Sequence, residues 1–441
     1  MPRGRRPRPA ARREDRCASI HLRKGPVCYT RVPRRESAVR LTADGRWLFA
    51  GRALRTFSFG YLSLALALYL AARGFSAAAI GGVLTATMAE DALFTVLVSG
   101  LVNRLGRRRV LTACSLLITF AGVMLAEGER AWVLVVGAVL GTLSPSGQEA
   151  GPFSPLEQSL LPETVSRDAR TRAFAWYNVA GFLPAALGAL AGAAWLRAAS
   201  AIGLEERAAY RALLWFYALN GGLLALIYRQ LSPAAGMPPR RPDAPRAGLH
   251  RSRRVVLEMA GLQALDSLAG GFIVQSLLVY WFHLRYGARP DVLGPLFFGT
   301  NLLSAASFLV AARVADRVGL LNTMVFSHLP SNVLLCLVPL APNLGGAAAL
   351  LLARHLLSQM DVPTRQAYTI ALVAPDERPA AAGYTTSARA LAQAVAPVMS
   401  GLALSQAAGG LPFFLAGGLK IAYDLVLYFR FRSVRLPEDG R

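Results

Sequence analysis

The sequence is poor in charge and in cysteine, and its histidines form no cluster, so several classes of protein are excluded. Charged residues make up only 17% of the 441 residues, whereas soluble domains carry about 25%. Four cysteines are too few for a disulfide scaffold of this length. His283, His328 and His355 lack metal-ligand spacing, and no Walker-type phosphate loop is present. We therefore expect no disulfide framework, no metal, no cofactor and no ATP-driven machinery.

Apolar residues are abundant instead, at 54% of the chain, and the mean hydropathy is +0.39. A disordered chain needs low hydrophobicity, so that class is excluded. The net charge of +23 is uneven, because residues 1–46 hold 14 Lys and Arg against 4 acids. Nucleic-acid-binding proteins carry such charge on a folded basic face, whereas the remainder of this chain consists of apolar runs. The composition predicts a membrane protein whose partner is the lipid bilayer, with no nucleic acid.

Twelve apolar runs are long enough to cross a membrane as helices. Such a helix needs about 20 mostly apolar residues to span about 30 Å of hydrocarbon. Several runs are rich in Gly, Ala, Ser and Thr, which lets helices approach closely in lipid. The predicted spans, one to twelve, are residues 48–72, 77–101, 109–127, 131–160, 172–196, 210–230, 253–282, 291–312, 320–341, 346–373, 380–405 and 411–430. The sequence therefore predicts an all-α membrane protein with twelve transmembrane helices.

The basic residues between these spans indicate orientation. Segments on the side of both termini hold 34 Lys and Arg, whereas those on the other side hold 7. Because basic loops stay in the cytoplasm, we predict a multi-pass protein of the cytoplasmic (inner or plasma) membrane with both termini in the cytoplasm. The Arg- and Pro-rich tail at 1–46 is predicted to be disordered, and 431–441 forms a second cytoplasmic tail.

The chain also divides into two similar halves. A Pro- and Arg-rich linker at 231–252 separates six predicted spans at 47–230 from six at 253–430. The fifth and eleventh spans each carry a proline followed four residues later by a glycine. Internal repeats of this kind fit a transporter whose two bundles rock about a site near the membrane midplane.

The segments after the second and eighth spans share a short motif. Residues 99–108, Ser-Gly-Leu-Val-Asn-Arg-Leu-Gly-Arg-Arg, match the pattern G-x-L-A-D-R-x-G-R-R/K, and 316–319 repeats Asp-Arg-Val-Gly. On these motifs the chain resembles the major facilitator superfamily over about residues 47–430. The resemblance implies two six-helix bundles with alternating access and a cytoplasmic gate at these loops. The gate residues that it implies are Asn103, Arg104, Gly106, Arg107, Asp316, Arg317 and Gly319. Asn103 stands where the pattern has an acid and cannot be an anion.

Ionised side chains within the predicted spans are candidate transport residues, because each costs about 2.5–3.5 kcal/mol at a helix centre. In span ten, Arg354, Ser358, Asp361 and Arg365 follow the helical period and form one stripe. Two interpretations stay open. The stripe contacts substrate, or an Asp361–Arg365 salt bridge only pins the helix.

Other polar residues of the spans fall into two groups. Further candidates for the cavity are Arg55, Gln263 and Arg389. A second group lies nearer to span ends and is predicted to extend toward the membrane surface. This group comprises Arg52, Glu258, Lys420 and Asp424.

Four carboxylates are candidate proton carriers. Glu90 and Asp91 lie halfway along span two with no basic residue within a turn. A carboxylate in a low-dielectric cavity favours its protonated form, which suits proton exchange; the alternative is an ion pair with Arg55. Glu149 lies among three prolines of span four, where the helix should bend or open, and the alternative places it near the headgroups. Asp266 of span seven is the last candidate.

These features predict a secondary active transporter of a small molecule, coupled to protons and acting as a monomer rather than an enzyme. Gly181-x-x-Pro184-x-x-x-Gly188 in the fifth span resembles the antiporter motif of drug–proton exchangers and favours export. The alternatives are an importer or uniporter of the same fold, a membrane-embedded transferase, and a transport-dead sensor. A transferase should concentrate its catalytic groups at one membrane interface, and a sensor should carry a signalling domain.

Overall fold

The regular structure is helical throughout the part of the chain that the structure describes, with no strand in it. The computed structural model describes residues 41–141, 143–147, 151–166, 169–233, 249–373, 377–406 and 409–433. Its α-helices are α1 (Ala43–Ala72), α2 (Ala77–Leu105), α3 (Arg107–Glu127), α4 (Ala131–Leu140), α5 (Phe153–Leu160), α6 (Arg170–Ala201), α7 (Glu206–Arg229), α8 (Arg253–Gly271), α9 (Gln275–Tyr286), α10 (Pro290–Val318), α11 (Leu320–Leu337), α12 (Leu344–Leu357), α13 (Asp361–Ala371), α14 (Arg378–Ser405) and α15 (Leu411–Phe431).

Side-chain caps fix where the first helices begin. The Thr42 hydroxyl accepts a hydrogen bond from the Gly45 backbone N–H at 3.3 Å, and Ser76 caps α2 in the same way. Such caps satisfy N–H groups that have no partner within the helix. Helix α1 consequently begins at Ala43, inside the segment predicted as the tail 1–46. The residues before position 41 lie outside the described part.

Nine helical segments of the described chain are long and apolar enough to cross a membrane. They coincide with predicted spans one to three, five to nine, and twelve. Predicted spans four and ten coincide with helices that are broken near the middle, and span eleven coincides with the 28-residue helix α14. Interrupted helices are tolerated at membrane depth where they are buried in protein or line a polar cavity.

The break in span four is the one that its prolines predict. The described backbone between α4 and α5 is not helical, and Gly147 and Gly151 there have φ of +69° and +70°, which favour glycine. Two further breaks are findings of the structure. Residues 272–274 separate α8 from α9, and residues 358–360 separate α12 from α13.

Helices α2 and α14 join the first half (α1–α7) to the second (α8–α15) on the predicted extracellular side. A β-carbon at Gly81 would collide with the Pro397 carbonyl oxygen, so the two backbones lie in contact. The Val398 N–H donates to Thr85 Oγ1 at 2.9 Å. A buried backbone N–H needs an acceptor, and here Thr85 supplies one from the facing half.

A second junction between the halves lies at the break in span seven. The Gln275 side chain donates to Ser63 Oγ at 2.8 Å, and Ser276 Oγ donates to the Ser63 carbonyl at 2.9 Å. The Ser276 N–H donates to the Pro145 carbonyl at 3.0 Å. Backbone groups freed by the breaks in spans four and seven therefore satisfy one another across the two halves.

The repeated motif forms the same backbone turn in both halves. Gly106 alone joins α2 to α3 with φ of +83°, and Gly319 alone joins α10 to α11 with φ of +86°. The N–H of each donates to the carbonyl four residues earlier at 2.9 Å. The repeat seen in the sequence is therefore present in the backbone.

Candidate transport cavity

A cavity of about 400 Å³ is lined mainly by the second half, with Ser146 and Phe182 contributed by the first. Its charged lining residues are Asp266, Arg354, Asp361, Arg365, Arg389 and Lys420. The breaks in spans seven and ten both reach this lining, through residues 273–275 and 358–359. Pockets for small molecules measure about 300–1,000 Å³, so the volume suits a small-molecule ligand.

Asp266 of α8 is the centre of a buried ion network. Its carboxylate lies 2.5 Å from Lys420 Nζ and 2.7 Å from Arg365 Nη1. Arg365 also pairs with Asp361 at 3.0 Å. All four residues are buried, and removing one partner of a buried ion pair leaves an uncompensated charge. The network therefore ties α8, α13 and α15 together at the cavity wall.

The prediction that Lys420 and Asp424 extend to the membrane surface is wrong. They are 7% and 1% exposed and lie in the body of α15. Asp424 Oδ1 lies 2.9 Å from His328 Nδ1, directly behind the cavity wall. Only Glu258 has the surface role expected, paired with Arg430 at 2.8 Å. The sequence could have predicted the burial of Lys420, because this residue lies about ten residues from either end of α15 and therefore deep in the membrane.

The stripe predicted in span ten is present. Arg354, Ser358, Asp361 and Arg365 all line the cavity, although the helix is interrupted within the stripe, and the expected Asp361–Arg365 contact is formed. Arg354 Nε and Ser358 Oγ are buried without a hydrogen-bond partner in the described residues. Arg354 Nη1 lies 3.3 Å from His355 Nε2. The stripe thus joins an ion pair to two unsatisfied donors.

The other two candidates of the second half differ from each other. Arg389 lines the cavity, and its Nε donates to Ser267 Oγ at 3.0 Å. Gln263 is buried away from the lining and donates to Thr369 Oγ1 at 3.1 Å. The structure therefore brings Arg389 to the cavity and places Gln263 between α8 and α13.

Arg55 lies inside the first half and outside the described cavity lining. Its guanidinium binds Glu157 at 2.8 and 3.0 Å, and both side chains are fully buried. The Tyr177 hydroxyl donates to Glu157 at 2.6 Å, and the Tyr228 hydroxyl donates to the same carboxylate. Arg52 is also buried, 3.7 Å above the Tyr177 ring, so the prediction that it extends to the surface is wrong.

Glu90 and Asp91 form no ion pair with any residue that the structure describes. Asp91 is 8% exposed and Glu90 is half-buried, and neither lies on the cavity lining. Within the described chain no Lys, Arg or His lies within 4.0 Å of either, and Glu90 Oε2 and Asp91 Oδ1 have no hydrogen-bond partner. The alternative ion pair with Arg55 is therefore absent, since Arg55 binds Glu157.

The residues of the predicted gate lie at the loops that contain the repeated glycine. Arg107 is buried and pairs with Glu163 at 3.0 Å within the first half. Arg104, Asp316 and Arg317 are exposed. No hydrogen bond or ion pair joins the two gate loops among these described residues.

Several predicted features fall outside the described residues. Glu149, the side chain of Asn103, most of the linker and the C-terminal tail after Ser433 are among them. In the part that is described, no group of three or more His, Cys, Asp or Glu residues could hold a metal ion.

A family model of the Major Facilitator Superfamily matches residues 48–353, more than half of the chain. The chain belongs to this superfamily. This major facilitator protein is 25% identical over 423 residues to the uncharacterized membrane protein YJR124C of Saccharomyces cerevisiae, covering 89% of this chain and 94% of that protein.

Solved structures of transporters share its fold. The D-xylose-proton symporter matches with a TM-score of 0.67 at 14% identity, covering 87% of this chain and 97% of that one. An auto inhibited POT family peptide transporter matches with a TM-score of 0.68 at 13% identity, covering 91% and 99%. Identities this low show the fold alone. The predicted family and the predicted fold, a multi-pass transporter fold, are confirmed.

Proposed function

We propose that this protein is a proton-coupled secondary transporter that exports a small molecule across the cytoplasmic membrane by alternating access, with both termini in the cytoplasm. The observation that carries the proposal is the cavity, which lies beside broken helices where the two halves meet. Substrate sites of transporters with internal repeats lie at such places near the membrane midplane. The 34 to 7 division of basic residues supports the orientation.

The contacts between the halves define the conformational state. Ser63 with Gln275 and Thr85 with Val398 hold the halves together on the predicted extracellular side of the cavity. In the described residues, no hydrogen bond or ion pair joins the gate loops at Gly106 and Gly319. These contacts support a state that is closed to the outside. The opposite state requires the extracellular contacts to separate and the gate loops to approach.

Asp91 is the proton carrier that the contacts favour. Asp266, its main rival, is bound by Lys420 and Arg365, so protonating it would leave the buried Lys420 without its anion and Arg365 with Asp361 alone. Asp91 has no cation beside it in the described chain and is buried, so its charge is costly in the membrane and proton binding removes that cost. Glu90 is the adjacent substitute.

Helix α2 connects this carboxylate to the other half. On α2, Asp91 lies six residues beyond Thr85, or about 9 Å along the helix axis. On α14, Arg389 lies nine residues before Val398, or about 14 Å along that axis. Since Thr85 and Val398 bond to each other, both charges lie on the same side of the contact between the halves. Proton binding at Asp91 would change the packing of the helix that touches α14.

Outward transport is the direction that the fifth span favours. Its sequence motif resembles that of drug–proton exchangers, and Pro184 and Gly188 both lie within the continuous helix α6. A β-carbon at Gly188 would collide with the Phe57 carbonyl oxygen of α1. The motif therefore permits close packing of α1 and α6, the pair that must move as one unit when the first half rocks.

Transport by the purified protein in sealed proteoliposomes tests the proposal. A panel of labelled organic anions, cations and neutral solutes is assayed with and without an imposed pH gradient. We expect gradient-driven movement of one class in the wild type, and its loss in Asp91→Asn, which fixes the neutral form. Passive exchange of the same compound should persist in that variant, because the cavity is intact.

Glu258→Gln is the matched control, since Glu258 lies in an exposed pair at a helix end. It should keep gradient-driven transport. If Asp91→Asn and Glu90→Gln, singly and together, leave gradient-driven transport unchanged, span two does not carry the proton. If no compound responds to the gradient in the wild type, proton coupling itself is wrong.

A further inference from the structure

The cavity lining carries more positive than negative charge. Its cations are Arg354, Arg365, Arg389 and Lys420, and its acids are Asp266 and Asp361. Both acids are already engaged, Asp266 by Lys420 and Arg365, and Asp361 by Arg365. Even with Asp424 behind the wall included, the cations are in excess. Because uncompensated charge at membrane depth is costly, this excess of positive charge favours binding of an anion.

Arg354 Nε and Ser358 Oγ are donors at the cavity wall that have no acceptor among the described residues. They lie one helical turn apart and are 7% and 4% exposed. Arg354 Nε and Ser358 Oγ have no hydrogen-bond partner in the described chain, and no carboxylate there lies within 4.0 Å of the guanidinium. Buried polar groups are normally hydrogen-bonded. An arginine fork beside a hydroxyl matches the acceptor oxygens of a carboxylate or a phosphate.

Arg389 adds a second cation from a different helix. Its Nε donates to Ser267 Oγ, a neutral acceptor, and no carboxylate in the described residues lies within salt-bridge distance of it. Two arginines on α12 and α14 thus face one cavity without a counter-ion of their own among the described residues. Neither holds a carboxylate of another helix in the described chain, so an ion pair between helices does not account for them.

Three phenylalanines form part of the remaining wall, beside polar residues such as Gln275 and Asn301. Phe182, Phe297 and Phe308 line the same cavity, and the rings of Phe182 and Phe308 lie 6.1 Å apart between centroids. Aromatic side chains favour an apolar body in the ligand, while a few polar groups fix its orientation.

We infer that the cavity binds a small organic anion, an aromatic or apolar molecule that carries one carboxylate or phosphate group. The anionic group binds Arg354, Ser358 and Arg389, and the apolar body packs on the phenylalanines. The inference rests on the proposed function, because it names the class of molecule that the transporter carries. A cation would instead have to displace Lys420 or Arg365 from Asp266.

Binding to the purified full-length protein in detergent, with no pH gradient, tests this inference. The probes are benzoate and phenyl phosphate as anions, benzamide as a neutral molecule of the same shape, and benzylamine as a cation. Isothermal titration at neutral pH gives each affinity. We expect at least one anion to bind about ten times more tightly than benzamide or benzylamine. Arg354→Gln and Arg389→Gln should each weaken that anion about tenfold or more.

Arg354→Lys keeps the charge and should retain more affinity than Arg354→Gln. Arg253→Gln is the matched control, because Arg253 is exposed at the start of α8. It should bind the anion as the wild type does. The thermal midpoint of each variant without probe shows whether it folds; if Arg354→Gln does not, Arg389→Gln carries the test.

The inference is overturned if benzylamine or benzamide binds as tightly as both anions, or if neither Arg354→Gln nor Arg389→Gln weakens the anion. Because the assay uses no gradient, anion binding without gradient-driven transport would support this inference and reject proton coupling. Gradient-driven transport of cations alone would support proton coupling and reject this inference.

Discussion

The two halves repeat one helical frame but use their buried arginines in different ways. In the first half, Arg55 binds Glu157 bidentately and both side chains are sealed from the cavity. In the second half, Arg354 and Arg389 face the cavity without a carboxylate of their own in the described chain. The same backbone repeat therefore carries a sealed ion pair in one half and cavity-facing arginines, the proposed ligand site, in the other. Function lies in the side chains placed on the frame.

The largest expected loss of stability comes from breaking the buried Arg55–Glu157 ion pair. Arg55→Met leaves the Glu157 carboxylate buried, with the Tyr177 and Tyr228 hydroxyls as its hydrogen-bond donors among the described residues. Loss of one partner of a buried ion pair costs about 3–5 kcal/mol. Arg354→Met should cost much less, because it removes a cation that holds no carboxylate in the described chain. The free energy of unfolding in mixed micelles measures both.

The double variant Arg55→Met with Glu157→Met should recover most of the loss, since both charges are then gone. Equal losses in Arg55→Met and Arg354→Met would contradict the difference between the halves.

A smaller effect tests what the halves share. Gly106 and Gly319 have φ of +83° and +86° with extended ψ of 151° and 162°, a conformation that costs a residue with a β-carbon about 1–3 kcal/mol. We expect Gly106→Ala and Gly319→Ala to lower the free energy of unfolding by similar amounts. Gly82→Ala is the control, because Gly82 lies within helix α2 with open space around its Cα. It should be neutral or stabilising, by up to about 1 kcal/mol.

Unequal losses at Gly106 and Gly319, with Gly82→Ala unaffected, would show that the two gate loops are not equivalent. The same variants also test the gate in transport, since a strained loop should impair its closure.

The smallest effect concerns how each half begins. The start of the first half is held by a backbone hydrogen bond, which the Thr42 N–H donates to the Thr164 carbonyl at 3.1 Å. The second is held by Glu377, which accepts hydrogen bonds from residues 250–252 at the start of α8. The Ser252 side chain and these backbone N–H groups lower the pKa of Glu377 to about 2.

Because the folded-state pKa of Glu377 lies below its ordinary value of 4.5, its contribution to stability is complete above about pH 4.5. It is lost as the pH falls toward about 2. Hydrogen exchange at residues 250–256, corrected for intrinsic rates, should therefore accelerate over this range, while exchange at 42–48 changes less. Glu377→Gln should abolish the pH dependence. An identical acid response of both segments would show that Glu377 does not act as this anchor.

Much of the scaffold follows from local sequence. Apolar runs specify helices because lipid leaves every backbone group to be satisfied within its own segment. The prolines of span four forced a break there, and the repeated Gly106 and Gly319 predicted equivalent turns. The spacing of Arg354, Ser358, Asp361 and Arg365 was likewise enough to predict one stripe, because helical period alone decides which residues share a face.

The breaks in spans seven and ten, and the partners of each charge, were decided by the tertiary structure. Lys420 is buried because Asp266 on another helix offers it a counter-ion. Arg55 lies outside the described cavity lining, where Glu157 binds it. Such pairings join residues more than 100 positions apart. Sequence period determines the face on which a charge lies, whereas only the packing of whole helices determines which opposite charge, if any, it meets.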